Sequence, residues 1–310
     1  MTDPKNIAVI GGGLMGHGIG LIMARAGHRV AISDPVQDTR LSLLPRMMDS
    51  LKTIGTTDDE LPSIMGPVTV HETLTEAALN ADVVFEAAPE KLPLKQSIFA
   101  ELESCVPEHC ILASNTSVIQ ISKIMAGLKT RHRAIGTHWW NPAHMIPLVE
   151  IIKTEWSDQA VADEMFILLQ GVGKTPVMVE KDVPGFIGNR LQHALWREAI
   201  SLVENGICDA EAVDTVIKSS FGRRLAVLGP LENADLVGTD LSLDIHENVL
   251  FDLESRKGPS PYLEQLVKDG KLGMKSGEGF YKWTDEQAIA VRARVGTHLT
   301  KLKGILPTTD

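Results

Sequence analysis

Along the first 180 or so residues, short apolar runs recur at intervals too long for hairpins. They are 6–10, 29–33, 68–70, 82–86, 111–114, 134–137, 148–152 and 176–179. Each is four or five residues or fewer, rich in Val, Ile, Leu and Ala, and almost continuous rather than alternating. That pattern predicts strands buried on both faces, as in a parallel sheet. Between them lie longer segments with helical spacing, for example 14–27, 91–105 and 157–171. Strands alternating with helices predict an α/β fold, a doubly wound and mostly parallel sheet of the Rossmann type. From Val183 the texture changes. Pro184-Gly-Phe-Ile-Gly-Asn-Arg190 opens a helix predicted to run to about Asn205, with Gly206 as its stop, and 209–219, 231–254 and 261–268 read as further helices. Two domains follow, 1–183 and an all-helical 184–310.

The first strand, Asn6-Ile-Ala-Val-Ile10, runs directly into Gly11-Gly-Gly13-Leu-Met-Gly16, and a helical pattern begins at Leu14. In a strand–G-x-G-x-x-G–helix unit, Gly11 permits the tight turn and Gly13 lets a pyrophosphate approach the backbone. Gly16 lets helix and strand pack closely, and the phosphates meet free N–H groups at the positive end of the helix. The second strand ends at Asp34, the expected distance beyond the glycines. A carboxylate there accepts hydrogen bonds from both adenosine ribose hydroxyls and repels a 2′-phosphate. Pro35, Val36 and Gln37 follow it instead of an arginine. The cofactor read from these residues is NAD, which makes 1–183 the NAD-binding domain.

Net charge narrows the field. With 30 Lys and Arg against 40 Asp and Glu, the 310-residue chain carries −10, the wrong sign for a nucleic-acid binder. No apolar run approaches membrane-spanning length and the N-terminus lacks a signal peptide's basic and apolar regions, so a cytoplasmic protein without membrane contacts is expected. Cys105, Cys110 and Cys208 are odd in number and lack ligand spacing, which predicts reduced thiols and no metal. Gly173-Lys-Thr175 resembles the end of a phosphate loop, but Leu168 stands where that motif needs glycine.

Hydride transfer from an alcohol needs a base, a group that orients the base, and donors around the oxygen. His138 follows the strand at 134–137 and could be that base, although any one of ten histidines could equally be structural. Glu150 interrupts the apolar run Leu148-Val-Glu-Ile-Ile152, where a carboxylate needs a partner; His138 is a candidate, and the alternative is an edge strand with Glu150 facing water. Ser117, in Ser114-Asn-Thr-Ser117, could hold the substrate oxygen or cap a helix. Asn189 could supply an amide to the same oxygen, or be an ordinary polar position on its helix.

Taken together, these segments resemble the L-3-hydroxyacyl-CoA dehydrogenase family. The motifs that carry the likeness are Gly11-x-Gly13-x-x-Gly16, Ser114-Asn-Thr-Ser117, His138-x-x-Asn-Pro142 with Glu150, Pro184-Gly-Phe-x-x-Asn-Arg190, and Lys275-Ser-Gly-Glu-Gly-Phe-Tyr281. The resemblance implies His138 as base, Glu150 as its partner, and Ser117 and Asn189 around the reacting oxygen. We assign Leu14, Met15, Glu90, Lys95 and Asn115 to the NAD site beside Gly11, Gly13, Gly16 and Asp34. It also implies a homodimer formed by the helical domain, a small-molecule substrate, and oxidation of a 3-hydroxy to a 3-keto group.

Substrate class stays open between 3-hydroxyacyl-CoA, with its setting in fatty-acid metabolism, and a small free hydroxy acid of the gulonate, carnitine or pyridine-carboxylate kind. The acyl-CoA enzymes carry lysines after the second strand, whereas residues 41–67 here hold only Arg46 and Lys52 against Asp49, Asp58, Asp59 and Glu60. Trp139, Trp140 and His144 could line a pocket for a flat substrate, or the tryptophans could be core. A non-catalytic, crystallin-like NAD-binding protein is the remaining alternative.

Overall fold

The computed structural model describes residues 3–303 and 305, which divide into two compact units that part between Arg190 and Leu191. The first is built on one eight-stranded sheet. Its strands are β1 (Asn6–Ile10), β2 (Arg29–Ser33), β3 (Val68–His71), β4 (Val83–Glu86), β5 (Ile111–Ser114), β6 (Ala134–Trp139), β7 (Leu148–Ile152) and β8 (Thr175–Val179). They lie in the order β3-β2-β1-β4-β5-β6-β7-β8. The chain builds outward from β1 in one direction and resumes beside β1 in the other, so β1 and β4 form a topological switch point. The crevice beyond their carboxyl ends is where such sheets bind ligands.

The near-continuous apolar runs are explained by burial on both faces. Ile7, Val9, Val83, Phe85, Ile111 and Ala113 enter one core. Their alternate neighbours Ala8, Ile10, Val84 and Leu112 enter the other. Seven helices cover the sheet: α1 (Leu14–Arg25), α2 (Gln37–Thr53), α3 (Leu61–Met65), α4 (Leu74–Ala78), α5 (Leu92–Cys105), α6 (Ile121–Met125) and α7 (Gln159–Gly171). All neighbouring strands are parallel except β6 and β7. Only residues 140–147 join that pair, too few for the crossover a parallel connection requires.

The second unit is helical: the remainder of α8 (Gly188–Glu204), then α9 (Ala210–Ser219), α10 (Pro230–Val237), α11 (Thr239–Val249), α12 (Pro261–Lys268) and α13 (Asp285–Lys303). The boundary read at Pro184 precedes α8, whereas the compact units part inside that helix. Three details differ from the sequence reading. The long helix begins at Gly188 rather than Pro184, because Gly185 and Phe186 take φ of +75° and +51°, incompatible with a right-handed helix. The helix expected over 231–254 is two helices, broken where Gly238 takes φ +101°. The helix over 285–303 was not anticipated. No described helix is long and apolar enough to cross a membrane.

Candidate active site

The glycine turn is shaped by contacts that only glycine permits. Gly11 has φ +104° and donates its N–H to the Ser33 carbonyl at 2.8 Å; a Cβ there would lie 2.8 Å from the Ala87 carbonyl oxygen. A Cβ at Gly16 would collide with the Gly11 carbonyl. At Gly13 a Cβ would meet nothing within 4 Å, so its absence serves an approach from outside rather than the fold. Gly13 begins α1 without a side-chain cap, which leaves the first N–H groups of the helix to a ligand. Leu14 is exposed and Met15 half-buried at that helix start. The Asp34 carboxylate at the end of β2 accepts the Gly12 and Val36 N–H groups, both at 2.9 Å. An open glycine backbone, an uncapped helix start and a fixed carboxylate fit a dinucleotide whose adenosine ribose is unphosphorylated.

Glu90, Lys95 and Asn115 fall in one network. Lys95, 1% exposed, donates to Glu86 Oε1 at 2.8 Å and the Ala88 carbonyl at 3.2 Å, and lies 3.4 Å from Glu90 Oε2. Its ammonium is therefore turned inward on two carboxylates. Glu90 Oε1 accepts the Thr116 hydroxyl and the N–H groups of Ser117 and Val118, which fixes the loop after β5. Burial works to raise the Glu90 carboxyl, but these hydrogen bonds and Lys95 outweigh it and hold the group below the usual carboxylate range. Asn115 Oδ1 accepts the Trp139 N–H at 2.9 Å, tying the end of β5 to β6. Sequence reading missed Glu86, fully buried and accepting the Ser114 hydroxyl at 2.6 Å. The signal was present, a carboxylate ending the apolar run Val83-Val-Phe85.

His138 and Glu150 face each other as register partners across the antiparallel β6–β7 pair. His138 Nδ1 lies 2.7 Å from Glu150 Oε2, with the two side chains 5% and 1% exposed. A carboxylate only accepts, so Nδ1 carries the proton and Nε2 is left as the acceptor. The other carboxylate oxygen, Oε1, accepts the N–H groups of Ile187 at 2.8 Å and Gly188 at 3.0 Å, where α8 begins. Burial pushes the Glu150 carboxyl up, but His138, Gly188 and Ile187 together bring it below its ordinary value. The edge-strand alternative does not hold, since β7 lies between β6 and β8. Trp140 and Phe186 flank the imidazole at ring-centroid distances of 5.3 and 5.6 Å.

Ser117 and Asn189 also meet, through the Asn189 Nδ2 donor and the Ser117 carbonyl at 2.9 Å. Ser117 is exposed and caps no helix, because α6 starts four residues later. Trp139 is core, 2% exposed and edge-on to Phe85 at 5.9 Å. His144 pairs with His17, ring centroids 5.9 Å apart. No group of three or more His, Cys, Asp or Glu among the described residues could hold a metal ion.

A switch-point crevice with this glycine turn, on a sheet that also carries a buried histidine–carboxylate pair, defines a dinucleotide-binding architecture of the oxidoreductase kind. Residues 6–183 match the model of the 3-hydroxyacyl-CoA dehydrogenase NAD-binding domain, and residues 185–283 that of the C-terminal domain. The chain belongs to the 3-hydroxyacyl-CoA dehydrogenase family of NAD-dependent oxidoreductases. It is 34% identical over 309 residues, 97% of this chain and 98% of the relative, to 5-formyl-3-hydroxy-2-methylpyridine 4-carboxylate 5-dehydrogenase of Mesorhizobium japonicum. It is 38% identical over 296 residues, 90% of this chain and 91% of the relative, to mitochondrial hydroxyacyl-coenzyme A dehydrogenase of Mus musculus. Among solved structures it superposes with TM-score 0.90 on a 5-formyl-3-hydroxy-2-methylpyridine 4-carboxylic acid 5-dehydrogenase described as an NAD+-dependent dismutase. That match is 34% identical and covers 97% of this chain and 98% of that one.

Proposed function

We propose that this chain oxidises a hydroxyl-bearing carbon of a small free carboxylate, with NAD as hydride acceptor and without coenzyme A. His138 Nε2 takes the hydroxyl proton as the hydride departs. Glu150 holds the imidazole by its Nδ1–H and stabilises the cation that forms. The Ser117 hydroxyl and the Asn189 amide hold the oxygen. An aldehyde hydrate offers the same hydroxyl on the reacting carbon, so a formyl group becomes a carboxylate by the same route.

The observation that carries the choice against coenzyme A is the state of the two cations in residues 41–67. Arg46 turns inward onto the Gly12, Gly13 and Thr39 carbonyls. Lys52 is paired with Asp58 at 2.7 Å. Arg46 is thus committed to the backbone, and the exposed Lys52 offers one cation already offset by Asp58, among acidic neighbours that oppose coenzyme A phosphates. The likeness to the pyridine-carboxylate dehydrogenase agrees with this choice. Oxidation of 3-hydroxyacyl-CoA is the second reading, favoured by the likeness to the mouse enzyme.

A homodimer through the helical unit belongs to the same proposal. Among the described residues, α9, α10 and α11 bury none. Leu231, Leu236 and Leu243, on α10 and α11, are 80%, 72% and 60% exposed. Covering such apolar surface is worth about 25 cal/mol per Å². The test is NADH release across hydroxymethyl- and formyl-pyridine carboxylates, aliphatic 3-hydroxy acids and 3-hydroxybutyryl-CoA. Turnover of a free acid is expected. A kcat/KM for the thioester exceeding every free acid by tenfold refutes the choice, and NAD binding without turnover of any of them favours the non-catalytic alternative.

A further inference from the structure

Among the described residues Arg46 forms no ion pair with a carboxylate, and its Nε is buried without a partner. Its guanidinium reaches from α2 to the underside of the glycine turn. Nη2 donates to the Gly12 carbonyl at 2.7 Å and Nη1 to the Gly13 carbonyl at 3.4 Å. The Gly13 carbonyl also faces the His17 N–H and His17 Nδ1, both at 3.2 Å. Burial, together with the nearby Arg46 charge, keeps the His17 imidazole below its ordinary value despite the opposing Gly13 hydrogen bond. It is therefore neutral, with the proton on Nδ1 and Nε2 facing the Ser50 hydroxyl at 3.2 Å.

In a trans peptide the carbonyl and the following N–H point in opposite directions. Drawing the Gly12 and Gly13 carbonyls onto Arg46 and His17 therefore turns the N–H groups of Gly13 and Leu14 away from them. Those are the N–H groups a pyrophosphate needs, on a backbone left open at Gly13. We propose that Arg46 is a positioning residue for the cofactor pyrophosphate: it sets these two peptide planes from below, and its unpaired charge favours the anion above. The inference rests on NAD binding alone and is independent of the substrate.

The test uses competition against NADH fluorescence on the purified protein, with no turnover, comparing ADP-ribose with adenosine, which lacks the phosphates. In Arg46→Gln the ADP-ribose inhibition constant should rise about tenfold while that of adenosine stays within twofold. Arg46→Lys keeps the charge but loses the two-pronged donor, and should raise the ADP-ribose constant about threefold. A merely structural arginine would weaken both ligands equally. An unchanged ratio of the two constants in Arg46→Gln, or equal weakening of both, overturns the proposal. If Arg46→Gln fails to fold by circular dichroism, the ratio in Arg46→Lys decides: a shift supports the proposal and no shift overturns it.

Discussion

Replacing Glu150 by Gln keeps the shape of the side chain and removes its charge, and the structure determines how the amide must sit. Oε1 of Glu150 accepts two backbone donors, Ile187 N–H and Gly188 N–H. An amide NH2 placed there would face donors, so the glutamine carbonyl takes that side and its NH2 turns to His138. The imidazole must then accept at Nδ1, which moves its proton to Nε2. In the proposed mechanism that atom takes the substrate proton, so the variant would hold the proposed base in the wrong tautomer. The equivalent carboxylate-to-amide change in a Ser–His–Asp triad costs about 10⁴ in kcat. Here the expected loss is about 10²–10⁴, or roughly 3–5 kcal/mol of barrier at 1.36 kcal/mol per decade. The two backbone N–H groups keep their acceptor, so the fold and NADH affinity should persist. The assay is steady-state NADH production at saturating substrate, with NADH binding measured separately by fluorescence. A kcat within threefold of wild type, or a loss in kcat matched by an equal loss of NADH affinity, refutes the reasoning.

His138→Gln should abolish oxidation while NADH affinity stays within twofold; comparable turnover in the variant removes His138 from the mechanism. Asp34→Ala should raise the ratio of NADP to NAD efficiencies at least tenfold, since a carboxylate that repels a 2′-phosphate is gone; an unchanged ratio of kcat/KM values counts against the ribose role. Burial, then the neighbouring His17 ring and the Lys174 ammonium, push His144 down from 6.5 to about 4. The unfolded chain therefore binds the extra proton between those values, and stability falls as pH falls through that window. The loss should reach about 2 kcal/mol by the acid end, at 1.36 kcal/mol per unit reduced for partial exposure. Urea melts of wild type and His144→Asn across that range check it, and parallel pH dependence in the two proteins would sink the assignment.

The sheet was legible because burial on both faces writes itself into sequence as uninterrupted apolar runs, as in Val83-Val-Phe85 and Ile111-Leu-Ala113. The His138–Glu150 meeting was legible from one anomaly, a carboxylate inside such a run. The related anomaly at Glu86 passed unread because that carboxylate ends its apolar run rather than interrupting it, where a polar residue draws no notice, although its partner Lys95 lies only nine residues on. The start of α8 was misplaced because Gly185 and Phe186 both take positive φ, and at Phe186 no composition signal announces it. One amide donor of Asn189 meets the Ser117 carbonyl, a pairing between the start of α8 and a loop 72 residues away that periodicity cannot encode.

Those two buried carboxylates have related tasks, and their effects converge on three consecutive residues. Glu150 binds the base on one side and the N–H groups of Ile187 and Gly188 on the other. Glu86 anchors Lys95, whose ammonium reaches Glu90, and Glu90 fixes the Ser117 backbone, which receives the Asn189 amide. The start of α8 is thus held from the side of His138 and from the side of the Ser117 loop at once. Gly188 leaves no slack, since a Cβ there would strike the Trp140 ring that flanks His138. Enlarging residue 188 must therefore displace Trp140, Glu150 or the Asn189–Ser117 link. Any of these moves His138, the proposed base, relative to Ser117 and Asn189, the groups proposed to hold the reacting oxygen, and the glycine turn shares none of these contacts. Substitution at 188 should consequently depress kcat while sparing NADH binding, which separates the geometry of the chemistry from that of the cofactor.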